Sequence, residues 1–353
     1  MKISVCLIVK DEEKVIERCL NCVTDFADEI IVVDTGSHDE TKNMVKKFTD
    51  KVYDFIWNDD FSAARNYAFS KATCDYLFWV DADDVITKEN TDKIIKLKNE
   101  NKTSDTYMFR YATAFDKHGN ITFEYYRERL IRNCPYAIFK GFIHESVAPF
   151  GDIRYTDITV EHRKISSGDP TRNLRIYETR LSYGYTLNKR DEYYYAKELF
   201  YNGRYSQAKK ALLKFVSCGK AYLPDVRDAY KTIYKCDVLR KLKADEKNLT
   251  DALCRVGADA EIFCYLGDIR AERGDFVNAV AFYKCALCAD LPSPKDGFYE
   301  RKFYYLEPLL RLVSLYYKLG DKRTAAVYHE MCVKSYPSAD ETIYNSQFFA
   351  NKK

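Results

Sequence analysis

Five β-forming residues in a row, Tyr76-Leu77-Phe78-Trp79-Val80, stop abruptly at Asp81, Ala82, Asp83 and Asp84. The run is too short for a buried helix and reads as a core strand, so the acids fall on the loop at its carboxyl end. In open α/β sheets that is where ligands sit. An Asp-x-Asp there can offer two hard oxygen ligands to one magnesium or manganese ion, which in turn can neutralise a diphosphate. The same acids would also serve as a polar turn, with Asp84 or Thr87 capping the next helix. The residues in front of the run separate the two readings.

Ile3 to Val9 has the β-branched content of a strand, and Val15, Ile16, Cys19, Leu20 and Val23 have helical spacing within Glu12 to Phe26. Glu29 to Asp34 is a second buried strand, followed by a turn at Gly36 and a helix around Met44, Val45 and Phe48. Val52 to Trp57 is a third strand, and Asn58 to Asn66 opens a helix running to Ala72 before the fourth strand, Tyr76 to Asp81. Alternating strands and helices predict a parallel sheet with right-handed crossovers. The unusual polar residues all follow a strand. Lys10, Asp11 and Glu12 come after the first, Asp34 and Gly36 after the second, and Arg65 after the third. Singly, these are a solvated helix start, a turn acid and a surface cation. At four successive strand ends they point to one shared site, in which Asp34 accepts from a base or ribose and the Arg65 fork pairs with phosphate. No glycine-rich phosphate loop follows the first strand, which disfavours a dinucleotide fold.

Four motifs together resemble the family 2 glycosyltransferases of the GT-A fold: Ser4 to Glu13, Val33-Asp34-Thr35-Gly36-Ser37 with Asp39 and Thr41, Phe61-Ser62 with Arg65-Asn66, and Asp81-Ala82-Asp83-Asp84. The resemblance implies that Ile8, Lys10 and Glu12 line a nucleotide pocket. It puts Asp34 and Gly36 at the base or ribose, Ser62 and Arg65 near the diphosphate, and Asp81, Ala82 and Asp83 at the metal-diphosphate. Lys10 stands where many members carry an aromatic residue, so base stacking differs here.

From Thr106 to Glu161 the pattern turns antiparallel. Tyr107 to Tyr111 and Ile121 to Tyr126 flank a turn at Asp116-Lys117-His118-Gly119-Asn120 and predict a hairpin. An inverting transfer needs a carboxylate to take the acceptor proton, and the candidate is Glu145 beside His144. The plain alternative is a structural histidine and a helix-start acid. His162, after the Ile158 to Val160 strand, is a candidate third metal ligand beside Asp83 and Asp81, or else a surface histidine.

Ser166-Ser167-Gly168-Asp169-Pro170 reads as a linker, so residues 1–165 form one expected domain and 166–353 the other. Beyond it, helical pairs recur with a glycine at each turn and an alanine five residues on: Gly203 and Ala208, Gly274 and Ala279, Gly320 and Ala325. This resembles tetratricopeptide repeats. Irregular glycine spacing makes Pro224 to Val256 a degenerate hairpin and Asp290 to Glu307 an insertion. The repeats suit a peptide or protein acceptor, or pairing into a homodimer. The tyrosines Tyr193, Tyr194, Tyr195, Tyr201 and Tyr205 are read mainly as packing residues.

The 353 residues, 46% apolar and 31% charged, describe a globular chain with a sizeable core. A net charge of +3 without a dense basic tract excludes a typical nucleic-acid protein. The amino terminus lacks a signal-type apolar core and no run reaches membrane-span length, so a cytoplasmic chain is expected. Twelve cysteines include Cys19-x-x-Cys22 and Cys285-x-x-Cys288, but both pairs lie in helical patterns far apart in the chain, so buried reduced thiols are expected rather than zinc.

The fold expected is therefore α/β, a GT-A nucleotide-sugar domain with a mixed, mainly parallel sheet, followed by an all-α repeat domain. By that resemblance, sublancin-type peptide glycosyltransferases included, the chain moves a hexosyl or N-acetylhexosaminyl group from a UDP-sugar to Ser, Thr or Cys of a peptide, with Mg or Mn. Two alternatives stay open: a cell-envelope or lipid-linked glycan as acceptor, and an inactive nucleotide-binding repeat adaptor.

Overall fold

The computed structural model describes residues 1–165, 168–293, 295, 297 and 299–350. The chain divides into two compact units, Met1–Arg180 and Leu181–Lys353, a division later in the chain than the composition change at the linker.

In the first unit β1 (Ile3–Val9), β2 (Glu29–Asp34), β3 (Val52–Asp54) and β4 (Tyr76–Trp79) lie parallel. They alternate with α1 (Ile16–Val23), α2 (Thr41–Val45) and α3 (Phe61–Ser70). After β5 (Asp84–Val85) and α4 (Lys88–Lys98) come β6 (Thr106–Phe115), β7 (Ile121–Arg132), β8 (Phe139–Lys140), β9 (Ser146–Val147), β10 (Ile153–His162) and α5 (Arg172–Ser182). The eight-stranded sheet runs β3-β2-β1-β4-β7-β6-β10-β5. β7 is antiparallel to both β4 and β6, while β10 is parallel to β6. The mixed, mainly parallel sheet is thus present. The predicted hairpin is longer than its sequence pattern, because Arg127 to Arg132 continue β7, and Leu130 to Arg132 pair with β4.

Alternation along each central strand builds two apolar layers. Ile3, Val5, Leu7 and Phe78 pack with Ile16, Leu20 and Ile94 on one face. Cys6, Ile31, Val33, Leu77 and Trp79 pack with Ala68, Phe69 and Phe139 on the other. With both faces covered, functional side chains are left to the strand ends.

The second unit is helical: α6 (Lys189–Tyr201), α7 (Tyr205–Ser217), α8 (Leu223–Leu239), α9 (Glu246–Val256), α10 (Ala260–Glu272), α11 (Phe276–Cys288), α12 (Lys302–Tyr305), α13 (Glu307–Lys318), α14 (Lys322–Ser335) and α15 (Asp340–Ala350). Gly203, Gly274 and Gly320 each end a helix at a φ of +74°, +77° and +82°. The next amide then reaches back to a carbonyl five residues earlier, Arg204 to Leu199 at 2.8 Å, Asp275 to Arg270 at 2.9 Å and Asp321 to Tyr316 at 3.0 Å. A left-handed residue is what this helix stop requires, and glycine adopts it without a Cβ penalty. Ala208, Ala279 and Ala325 are fully buried, as their small size at a helix crossing demands. The degenerate hairpin is α8 and α9. There Lys241, at φ +55°, makes the same stop without glycine, and the Leu242 amide reaches Asp237 at 2.9 Å. Among the cysteines, Cys6, Cys19, Cys236, Cys264 and Cys332 are buried as expected. Cys254, Cys285 and Cys288 are exposed instead, and all twelve are free thiols. No described helix is long and apolar enough to cross a membrane.

Candidate active site

The loop after β4 is held from below. The Asp84 carboxylate, 1% exposed, accepts from the Asp81 amide at 3.0 Å and pairs with the Arg129 guanidinium at 3.0 Å. Arg129 is itself fully buried between the rings of Trp79 and Tyr111, and it donates to the Trp79 carbonyl at 3.0 Å. Sheet register puts it there: Leu130 pairs with Phe78, so Arg129 comes opposite Trp79. The Tyr111 hydroxyl from β6 lies 3.0 Å from Asp84, 2.9 Å from His162 Nδ1 and 3.4 Å from Asp81. Asp84 is therefore an anchor whose two oxygens are already engaged, leaving Asp81 and Asp83 as the more exposed acids of the loop.

His162, at the end of β10, brings Nδ1 to 3.2 Å from Asp83. Burial disfavours its charged ring, but hydrogen bonds to Asp83 and Asp84 outweigh that and lift its pKa to about 10. A ring so raised is an imidazolium with protons on both nitrogens, so a metal held by His162 would have to displace one of them. The ligand atoms within 4.8 Å of one another belong to Asp81, Asp84 and His162; Asp83, expected as a ligand, is not in that group and meets His162 Nδ1 instead. Carboxylate oxygens with one imidazole fit manganese better than magnesium.

Arg65 closes the other side. α3 starts at Asp60, whose carboxylate caps the Ala63 amide at 2.9 Å, and one turn later Arg65 points under the sheet, 7% exposed. Its Nη2 lies 2.6 Å from Asp81 and its Nε 2.6 Å from Glu145, and its plane rests over Trp79. The Asp81 carboxyl lies well below the usual carboxylate range, because Arg65 and then Arg129 outweigh the burial that opposes its charge. Glu145 sits between β8 and β9 on a tight loop with Gly141 at φ +98° and His144 at φ +52°. That loop is tied to α3 by Asn66, which brackets the Phe139 backbone at 3.0 and 2.8 Å, and by the Phe61 amide on the Phe142 carbonyl at 2.9 Å. Arg127 Nη2 holds the Glu145 carbonyl at 3.2 Å.

The remaining expected residues lie at the ends of β1 and β2. Asp34 turns inward on its own loop and accepts from the Gly36 and Ser37 amides at 3.1 and 3.0 Å. The two loops are laced together, Glu12 N to Thr41 at 2.7 Å and Asp11 N to Ser37 at 3.0 Å. Glu12 has its pKa raised to about 7, first by burial and then by the charges of Asp83 and Asp81. Ile8 is half-buried at the end of β1, Lys10 is exposed, and Ser62 donates to Asp60 at 2.7 Å. The structure thus joins Arg65 to Asp81 and Glu145, and His162 to Asp83, with the Tyr111 hydroxyl between the two sets. Ile8 and Asp34 stand at the ends of β1 and β2, Lys10 and Gly36 on the loops that follow them, and Ser62 in the first turn of α3. Tyr111, Arg129 and Asp84 are the residues sequence reading passed over. The signal for one of them was legible, since Arg127-Glu128-Arg129 puts charges inside a run that continues Leu130-Ile131.

Residues 4–151 match the family described as Glycosyl transferase family 2. The amino-terminal unit carries a family 2 glycosyltransferase domain. Over 93 residues the chain is 42% identical to the SPbeta prophage-derived glycosyltransferase SunS of Bacillus subtilis, a stretch covering 26% of this chain and 22% of that protein. A TPR repeat-containing protein of Synechococcus elongatus is 35% identical over 146 residues, 41% of this chain and 35% of its own length. The matches thus span about a third or less of these curated relatives. Among solved structures, residues 1–349 of TarS from S. aureus align at a TM-score of 0.38 and 16% identity, covering 83% of this chain and 93% of that one. PilF of Pseudomonas aeruginosa aligns at 0.39 and 18%, covering 52% of this chain and 75% of its own.

Proposed function

We propose that this glycosyltransferase domain performs a metal-dependent, inverting transfer of a hexosyl or N-acetylhexosaminyl group from a UDP-sugar to Ser, Thr or Cys of a peptide or protein. The observation that carries the reading is Arg65, 2.6 Å from both Asp81 and Glu145. One guanidinium thereby sets the distance between the acid loop, where a diphosphate is expected, and the carboxylate assigned to the acceptor. Asp81, Asp83 and His162 would hold Mn or Mg, which when bound supplies positive charge to the leaving diphosphate. Glu145 accepts the proton as the acceptor oxygen or sulfur attacks the anomeric carbon, whose bond to the UDP oxygen breaks from the opposite face. His144 turns the chain so that Glu145 faces inward. Ile8, Lys10, Glu12, Asp34 and Gly36 would hold the nucleoside, and Ser62, Arg65 and Ala82 would flank the diphosphate.

The test is to screen nucleotide sugars with the purified chain, with and without manganese and candidate peptides, read by mass spectrometry. Asp83→Ala should lose metal-stimulated donor hydrolysis. Glu145→Gln should keep donor affinity and lose transfer by about a hundredfold or more, the range for a positioned base. Unchanged turnover in Asp83→Ala removes the metal assignment, and unchanged transfer in Glu145→Gln moves the base elsewhere. Modification of a lipid-linked glycan but of no peptide would reassign the acceptor.

A further inference from the structure

The helical unit contains a cavity of about 440 Å³ where the first turn of α6, the end of α7 and the start of α8 meet. That volume lies within the range of about 300–1,000 Å³ of built ligand pockets. Its walls include Phe215 and Tyr222, and its charged lining is Lys189, Arg190, Lys220 and Asp225. Lys189 is already bonded to Glu192 at 2.5 Å. Arg190 lies over the Tyr194 ring at 4.8 Å. Asp225 and Lys220 differ from both. Asp225 is 4% exposed, and among the described residues no hydrogen bond or ion pair reaches its carboxylate, although the Arg190 and Lys197 charges act on it from nearby. Lys220 is exposed and likewise has no partner among the described residues, including Asp225 on the same cavity.

The Asp225 carboxylate lines the open cavity, so a ligand there can donate to it in place of solvent. Here an acid and a base line one cavity without meeting, so the space between them suits a ligand with a donor at one end and an anion at the other. A dense phosphate chain fits badly, because Asp225 would face its charge. A peptide alternates N–H donors with side chains and meets both demands.

We propose that this cavity binds an acidic peptide segment, with a backbone N–H on Asp225, a Glu or Asp side chain on Lys220 within the field of Arg190, and Tyr222 covering the chain. That this segment belongs to the acceptor rests on the function proposed above. The binding is a property of the cavity itself.

The experiment uses the full chain and a fluorescein-labelled, carboxyl-amidated peptide of alternating glutamate and serine, read by anisotropy without any donor sugar. A glutamine-serine peptide is the control. The glutamate peptide should bind at least about tenfold more tightly than the control, as charge-assisted contacts require. Lys220→Glu should weaken it by a similar factor, and Asp225→Ala several-fold, with melting temperatures confirming that each variant is folded. Arg190→Gln, on an exposed side chain, gives a second variant. Equal binding of the two peptides, or none, overturns the proposal. So does a loss confined to Lys220→Glu with Asp225→Ala unchanged, since that describes a basic patch alone. Donor hydrolysis measured in parallel separates the two readings: peptide binding without hydrolysis leaves the cavity assignment standing and removes the transferase one.

Discussion

At the residue scale, a single hydroxyl has unusual reach. Tyr111 touches Asp84, His162 and Asp81, which belong to the loop after β4 and to the end of β10. Removing it leaves the ring packed against Tyr125 and Arg129 but takes away one of the contacts that orient His162, leaving Asp83 and Asp84 to hold Nδ1. Residues that orient metal ligands typically contribute about ten- to a hundredfold in metal affinity. Tyr111→Phe should therefore weaken manganese binding by at least about tenfold, measured by the free-ion resonance signal, while the melting temperature of the metal-free chain changes little. Unchanged manganese affinity would reduce Tyr111 to a packing residue. The acids themselves were visible in the sequence because a strand that ends in Asp-x-Asp is a local pattern. Tyr111 and Arg129 were not, because what brings them under those acids is the pairing of β7 with β4 and β6, a long-range register. Asp84 looked like one more turn acid. Its burial follows only from Arg129 arriving beneath it.

At the element scale, two contacts decide how pieces stay together. Glu29 opens β2 with a side chain 4% exposed and ties that strand to Ser4 of β1, to Lys51 and to Thr73, whose amide and hydroxyl donate at 2.9 and 3.0 Å. Burial alone would raise its pKa, but the hydrogen bonds from Lys51, Ser4 and Thr73 outweigh it and lower the value from 4.5 to about 2. A carboxylate depressed by folding contributes stability that is complete above its unfolded pKa and fades as pH falls through its folded one. Between pH 4.5 and about 2 the wild type should lose this contribution. Glu29→Gln, already without it at neutral pH, should melt lower at pH 7 and show a flatter acid slope in that window. Parallel slopes for the two proteins would exclude Glu29 as the cause. In the helical unit the alanine positions were legible because they recur, but Gly267 does not recur. A Cβ there would come within 2.3 Å of the Tyr283 ring, whose hydroxyl is held by Asp268 at 2.9 Å. Helix propensity favours Gly267→Ala by about 1 kcal/mol, whereas overpacking costs about 1–3 kcal/mol. The clash meets a ring pinned at both ends, so overpacking wins, and the variant should lower the denaturation midpoint. A raised midpoint would mean that Tyr283 can move aside.

At the scale of the whole molecule, the issue is how much chain the first unit needs to hold its site. The linker composition places a break before Asp169, yet α5 beyond it packs on the Glu145 loop. Tyr177 is fully buried with its ring 5.0 Å from Phe142, and Arg180 lies over Phe142 and donates to the Asp59 carbonyl and the Asp60 carboxylate at 3.0 and 3.3 Å. Asp60 in turn caps α3, the helix that carries Arg65. Composition could not reveal this, because a linker-like sequence says nothing about where the next helix docks. A fragment ending at Ser182 keeps these contacts, and one ending at Pro170 loses them together with a buried aromatic side chain, a change on the order of 3 kcal/mol or more. The longer fragment should melt cooperatively and bind manganese as the full chain does. The shorter one should melt lower by several degrees and bind it more weakly, since the cap of α3 and the seat of Glu145 loosen together. Equal melting and equal manganese binding in the two fragments would show that α5 follows the second unit and that the site stands without it.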